Sequence, residues 1–304
     1  MKAVVLTAYG DIDKFEVREL PNPSPDRNGV VVRVAGASIN PVDWKMRSGA
    51  AKAHFPVAFP AVLGRDAAGE VVAVGSGVTR FKPGDRVLGL VHGAYAEQVA
   101  APAECWALVP ANLDLTDAGA LPLVLLTGAQ LMERAVNASP GAKVLVTGAL
   151  GSVGRVAVHA AKMRGAEVWA GVHGAQRDEA ARLEVSGVLT LDGSPADANG
   201  RTPMFDAIAD TVGGETIRAL YERLKPGGTI GSVLGEPAGA KERGFEVNAF
   251  MAQPDSAMLA RYVKEVADGR LVIPIAHRLP LVRAADAQRM AEHDHPHGKV
   301  LLLS

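Results

Sequence analysis

A length of 304 residues, a change of texture near Thr116, and a glycine-rich turn set between an apolar strand and an apolar-faced helix together predict an α/β protein of two domains. A β-rich domain is interrupted by a doubly wound parallel-sheet domain built to bind a dinucleotide. At this length a single core rarely keeps growing, and each half is large enough to bury its own.

From Lys2 to about Glu104 the runs VVLTA, GVVVRVAGASI, GEVVAVG, DRVLGL and YAEQVAA are valine-rich and separated by turn formers, which predicts strands without long helices. Pro21, Pro23 and Pro25 mark a loop, and Lys82-Pro83-Gly84-Asp85 is a turn introducing a strand at 86–88. From Thr116 a helix carrying Leu121, Leu125, Leu131 and Ala135 is expected. A strand at 143–147 then meets the glycine-rich turn and a helix with Val153, Val156, Ala157 and Ala160 on one side. Further strands are read at 167–172, 188–192, 206–212, 229–234 and 245–251, with a helix near 214–224. This alternation argues for a parallel sheet covered on both faces. Residues 256–268 read as an amphipathic helix, and 299–303 as a terminal strand able to rejoin the first domain. The alanine- and glycine-rich stretch 236–244 reads as a mobile loop.

Lys and Arg number 32 against 33 Asp and Glu, a formal charge of -1 that supplies no field for a polyanion or an acidic membrane surface. Nucleic acid is not expected as a partner, and no basic run with interleaved aromatics appears. The apolar stretch at 121–126 is interrupted by Pro122 and falls far short of the ~20 residues that span a bilayer. The N-terminus MKAVVLTAYGDIDKF is unlike a secretion signal. The single cysteine, Cys105, allows no internal disulfide and reads as a buried apolar side chain, so a soluble, cytoplasmic protein is expected.

After the strand KVLVT comes Gly148-Ala149-Leu150-Gly151-Ser152-Val153-Gly154, a dinucleotide fingerprint with alanine at its first position. Small Ala149 permits the tight turn, Gly151 lets backbone approach a pyrophosphate, and Gly154 lets helix and strand pack closely. Ser152 and Val153 then lie at a helix N-terminus that faces phosphate charge. An NAD site expects a carboxylate about 20 positions on. The segment from Gly171 to Arg177 contains none. Arg177, with His173, is read instead as a pair for a 2′-phosphate, which favours NADPH; the competing reading is a solvated charge in the first turn of a helix.

Several segments, in order, resemble the medium-chain dehydrogenase/reductase superfamily, specifically its zinc-independent quinone oxidoreductase branch. They are Asn40-Pro41-Val42-Asp43-Trp44-Lys45, Leu63-Gly64-Arg65-Asp66-Ala67-Ala68-Gly69, Phe81-Lys82-Pro83-Gly84-Asp85-Arg86-Val87, Gly93-Ala94-Tyr95-Ala96-Glu97, the glycine turn, Asp210-Thr211-Val212-Gly213-Gly214, Lys225-Pro226-Gly227-Gly228 and Gly298-Lys299. The resemblance implies a GroES-like β-rich catalytic domain at 1–118 and 256–304, a Rossmann doubly wound parallel-sheet domain at 119–255, an active site in the cleft, and a homodimer. It also implies that Asn40 and Thr127 flank the nicotinamide ribose and ring, and that Val212 and the loop 231–235 with Val233 and Leu234 complete the cofactor site. Lys45 stands where many quinone reductases have a tyrosine and is read either as a proton donor or as a side chain reaching solvent, with Tyr95 the weaker candidate.

Zinc-dependent members look similar but carry Gly-His-Glu where this chain has Gly64-Arg65-Asp66, and a cysteine near the place of Asn40. Neither zinc site can be built in the family's manner, and His293, His295 and His297 read as a solvated turn rather than a metal site. Without a Lewis acid, hydride transfer from NADPH to a quinone or an enone is the expected reaction. An NADPH-binding sensor or structural protein with negligible turnover is the alternative reading.

Overall fold

The computed structural model describes residues 1–192, 203–294 and 296–304. They form two compact units, one of residues Met1–Leu123 and Pro254–Ser304, the other Val124–Gln253.

The first unit opens with β1 (Lys2–Leu6), β2 (Phe15–Glu19) and β3 (Gly29–Ser38), followed by helix α1 (Pro41–Ser48). Strands β4 (Ala61–Val62), β5 (Asp66–Val74), β6 (Arg86–Leu90), β7 (Gln98–Pro102) and β8 (Trp106–Leu108) and the short helix α2 (Leu115–Ala118) complete its first part. Strand β3 is buried along almost its whole length, as its near-continuous valine run requires of a strand covered on both faces. It pairs antiparallel with both β5 and β7.

The second unit contains helix α3 (Pro122–Gln130), which begins just before the division and continues as a π-helical turn, Leu131–Val136. Strand β9 (Lys143–Thr147), helix α4 (Ser152–Met163), strand β10 (Glu167–Val172), helix α5 (Arg177–Ala181) and strand β11 (Gly187–Thr190) follow. Then come β12 (Phe205–Asp210), α6 (Gly214–Ala219), β13 (Leu224–Ser232) and β14 (Glu246–Ala249). Among the described residues these strands make a parallel six-stranded sheet ordered β11-β10-β9-β12-β13-β14. Renumbered from β9, that order is 3-2-1-4-5-6, the doubly wound Rossmann arrangement, whose strand order reverses between β9 and β12. Leu145, Phe205, Ile208, Leu220 and Ile230 fill its core.

The chain returns to the first unit through α7 (Ser256–Ala267), β15 (Ile275–Pro280), α8 (Ala284–His293) and β16 (Lys299–Leu303). Asp255 caps α7 by accepting from the Met258 N–H at 2.9 Å. Strand β16 pairs antiparallel with β3, Leu301 opposite Ser38, so the last strand closes the GroES-like sheet.

Three details depart from the sequence reading. Strand β13 starts at Leu224 rather than 229, because α6 stops at Ala219, and the register against β12 shifts between Phe205 and Ala207 as Pro226, which has no N–H, passes. The segment 236–244 is pinned, with Ala240 fully buried and the Tyr221 hydroxyl donating to Ala238 O at 2.9 Å. His293 ends α8 and is exposed, as is His297, whereas His295 lies outside the described residues.

Candidate active site

In the first unit the start of α1 is built around a buried polar cluster. Pro41 occupies the first turn, where no backbone donor is needed, and the Asp43 carboxylate accepts the Asn40 N–H at 2.8 Å. The Asn40 Nδ2 donates to Asp66 Oδ2 at 2.8 Å, and its Oδ1 accepts from Lys299 Nζ at 2.5 Å. Lys299, on β16, also donates to Ile39 O at 2.9 Å and lies 3.6 Å from Asp66 Oδ2. Burial pushes the Lys299 ammonium down from its ordinary pKa, while the charges of Asp66 and Asp43 hold it up. Asp66 receives two further donors, Ser38 Oγ at 2.6 Å and the Leu123 N–H at 2.6 Å.

Asp43 is the perturbed acid of this cluster. Burial raises its pKa to about 7, against the lowering effect of hydrogen bonds from the Asn40 N–H and Tyr95. The Tyr95 hydroxyl donates to Asp43 Oδ2 at 2.9 Å, and burial followed by the charge of Asp43 holds that phenol well above its usual range.

These positions correct one expectation. Tyr95 has no accessible surface and spends its proton on Asp43, so it is a core residue rather than a proton donor to a ligand. Asn40 is 1 % exposed with both ends of its amide bonded inside the protein. Lys45 is exposed on α1 while Asp43, Met46 and Arg47 are buried, so the structure does not bring its side chain to the cluster.

Arg65, beside Asp66, is 7 % exposed. Its Nε donates to Val91 O at 2.9 Å, and its guanidinium carbon stands 5.5 Å from the Phe55 ring centroid. Burial lowers its pKa, opposed by the charges of Asp43 and Asp66. Nearby His92 is pushed down by burial and by the Arg65 charge.

In the second unit the turn after β9 explains the glycine spacing. Gly148 takes φ +62°, open to glycine at little cost, and Gly151 N–H closes the turn on Gly148 O at 2.9 Å. A Cβ on Gly154 would stand 2.1 Å from that same carbonyl oxygen, so only glycine lets α4 approach the turn. Ala149 is fully buried and donates to Gly171 O at 3.2 Å. Helix α4 starts at Ser152 and Val153 with no acid in its first turn, leaving its N-terminal N–H groups suited to an anion.

Asp210, at the end of β12, ties the neighbouring loops together. Its Oδ1 accepts from Thr147 Oγ1 at 3.0 Å and from the Gly213 N–H at 2.9 Å, and its Oδ2 from Ser232 Oγ at 3.1 Å. The sequence reading missed this role, although an acid ending the buried run AIA was its signal. Val212 and Leu234 are 43 % and 47 % exposed and line, with Asp210 and Ser232, a cavity of about 280 Å³. Val233 is half-buried on the same loop, and the Thr127 hydroxyl on α3 has no protein partner among the described residues.

At the end of β10, His173 and Arg177 flank a short 3₁₀ turn, His173 exposed and Arg177 half-buried. A carboxylate does stand there: both oxygens of Asp192, beyond β11, accept the Gly174 N–H at 2.9 Å, and Oδ1 lies 3.5 Å from His173 Nδ1. The stretch 171–177 lacks an acid, but the next strand delivers one. The Gly174 N–H holds the Asp192 carboxyl below its usual range.

Comparison with known proteins agrees with this geometry. Residues 26–111 match the alcohol dehydrogenase GroES-like domain, and residues 183–302 the zinc-binding dehydrogenase domain. The chain is 30 % identical to the 2-methylene-furan-3-one reductase of Solanum lycopersicum over 320 residues, covering 99 % of this chain and 79 % of the relative. The chain belongs to the medium-chain dehydrogenase/reductase superfamily. Within it, the chain is 29 % identical to the NADPH-dependent alkenal/one oxidoreductase of Arabidopsis thaliana over 316 residues, covering 99 % of this chain and 79 % of that one. The solved quinone oxidoreductase from Coxiella burnetii superposes with a TM-score of 0.88 at 27 % identity, covering 100 % of this chain and 99 % of that chain. This member is a hydride-transferring oxidoreductase that uses a nicotinamide cofactor.

Proposed function

We propose that this oxidoreductase is a zinc-independent, NADPH-dependent reductase whose acceptor is a quinone or an α,β-unsaturated carbonyl. The observation that carries the reading is the buried ammonium of Lys299 on Asn40 and Asp66. Asn40 and Asp66, in the segments where the resemblance places the ligands of zinc-dependent members, are thus held by a side-chain cation of this chain. Both Asp66 oxygens are already filled by Ser38, Asn40 and the Leu123 N–H, and a divalent metal does not fit among them. Among the described residues no group of His, Cys, Asp and Glu side chains is arranged to hold a metal elsewhere.

The cofactor does fit the second unit. Gly151 and the N-terminus of α4 would hold its pyrophosphate, with Gly154 keeping helix and turn in contact. Arg177 and His173 would hold the 2′-phosphate, and the Thr127 hydroxyl, Val212, Val233 and Leu234 would border the nicotinamide end. When bound, the reduced nicotinamide supplies the hydride. The exposed position of Lys45 leaves water as the proton source in this reading.

A homodimer belongs to the same proposal, supported by β14, whose outer edge has no strand partner among the described residues. A cytoplasmic setting rests on the lone Cys105; no helix among the described residues is long and apolar enough to cross a membrane.

The test follows loss of NADPH absorbance with a panel of quinones and enones, in the presence and absence of a strong chelator. Turnover indifferent to the chelator is expected. Activity confined to simple alcohols and abolished by chelation would overturn the proposal.

A further inference from the structure

Arg65 is a cation that the protein encloses without pairing. At 7 % exposure it has no carboxylate within ion-pair distance among the described residues, and only its Nε has a protein acceptor. The two terminal nitrogens are not among the sealed unpartnered atoms, which puts them at accessible surface. Neither neighbouring acid is available to them. Asp66 is filled by its donors and Lys299, and Asp43 is occupied by Tyr95 and the Asn40 N–H. The guanidinium lies by the Phe55 ring, with His92 beside it as a second polar group. A buried charge left unpaired is costly unless a ligand completes it, and the rigid fork of an arginine is shaped for oxygen.

We infer that Arg65 binds the carbonyl oxygen of the acceptor and stabilises the negative charge that develops there during reduction. The inference rests on the reductase reading and adds to it the group that meets the substrate oxygen. An enone that accepts a hydride would gain a C–H bond at its β-carbon as the donor's C–H bond breaks, its C=C pair would shift, and the carbonyl π pair would move onto oxygen as an enolate. Water then gives its proton to the α-carbon, leaving the saturated ketone. Two fixed N–H donors at that oxygen act where charge appears, with little reorganisation. The flat Phe55 ring favours a planar, conjugated acceptor over a tetrahedral alcohol.

The experiment compares wild type with Arg65→Met and Arg65→Lys. With an enone, kcat should fall about 100-fold in Arg65→Met, the loss seen when an oxyanion donor is removed. Arg65→Lys should fall between the two, and guanidinium ions added to Arg65→Met should restore turnover saturably. NADPH affinity should not change. A second measurement needs neither turnover nor cofactor: p-nitrophenolate, a planar oxyanion, titrated through its visible band, should bind wild type about 10-fold more tightly than Arg65→Met. Unchanged kcat/KM together with equal phenolate binding would overturn the assignment of Arg65 while leaving the reductase reading standing. If wild type reduces no quinone or enone, the reductase reading falls instead, and the phenolate titration alone then decides whether Arg65 is an oxyanion site.

Discussion

Lys299 carries its charge at 6 % exposure, donating to oxygens of Ile39 and Asn40 and forming an ion pair with Asp66 at 3.6 Å. Removing one member of such a set leaves the others desolvated and unpaired, which costs about 3–5 kcal/mol. Lys299→Met should therefore lose about that much unfolding free energy in a denaturant titration, and a loss below about 1 kcal/mol would show the ammonium to be dispensable. Asp43 makes the opposite kind of prediction. Its pKa of about 7 lies above the usual carboxylate range, so the folded state holds a proton that the unfolded state has released. Stability from this group is full in acid and declines as pH rises toward 7, by about 1.4 kcal/mol per unit over the range where only the folded state is protonated. Asp43→Asn keeps an acceptor for the Asn40 N–H and Tyr95 without the titration. Its melting temperature relative to wild type should climb from about pH 4 to about pH 7 and level off above, and parallel curves would refute the shift.

The β9–turn–α4 element holds the glycine motif in one local stretch, which is why its strand, turn and helix were legible in the sequence. Strands β9 and β10 run where an apolar run ending in glycine places them, and the buried face of α4 includes Val156, Ala157 and Ala160. A Gly154→Ala variant puts a methyl 2.1 Å from the Gly148 carbonyl, a clash between two pieces of backbone that neither can relieve alone. It should lose stability by about 1–3 kcal/mol and lose measurable NADPH binding in a fluorescence titration; wild-type affinity would show that the close approach is not needed. What the sequence hid was long-range. Lys299 meets Asn40 across 259 positions, and Asp192 reaches Gly174 from the neighbouring strand, contacts that no window along the chain contains. The burial of Tyr95 and Asn40 was equally hidden, because a motif names a residue without saying whether its polar atoms are already spent. Helix α8 was missed because its buried Ala284, Ala287 and Gln288 mix too little apolar character with exposed charge.

For the whole molecule, a cofactor that binds only the folded state stabilises it by mass action, about 2.7 kcal/mol at a hundred times its Kd. If the NADPH-dependent reading proposed above holds, NADPH at fixed concentration should raise the melting temperature more than NADH does, because Arg177 would give the 2′-phosphate a charge-assisted bond worth about 1.5–3 kcal/mol. Asp192 would work against that preference, since its carboxylate stands beside His173 at the same strand end. In that reading the two residues would set the balance from opposite sides. Arg177→Ala should erase the difference between the two cofactors by weakening NADPH about 10- to 100-fold with NADH unchanged. Asp192→Asn should widen it by relieving repulsion of the phosphate, at the cost of a weaker hold on the Gly174 N–H. A thermal shift that is equal for NADPH and NADH in wild type, and stays equal in both variants, would remove the 2′-phosphate from this site.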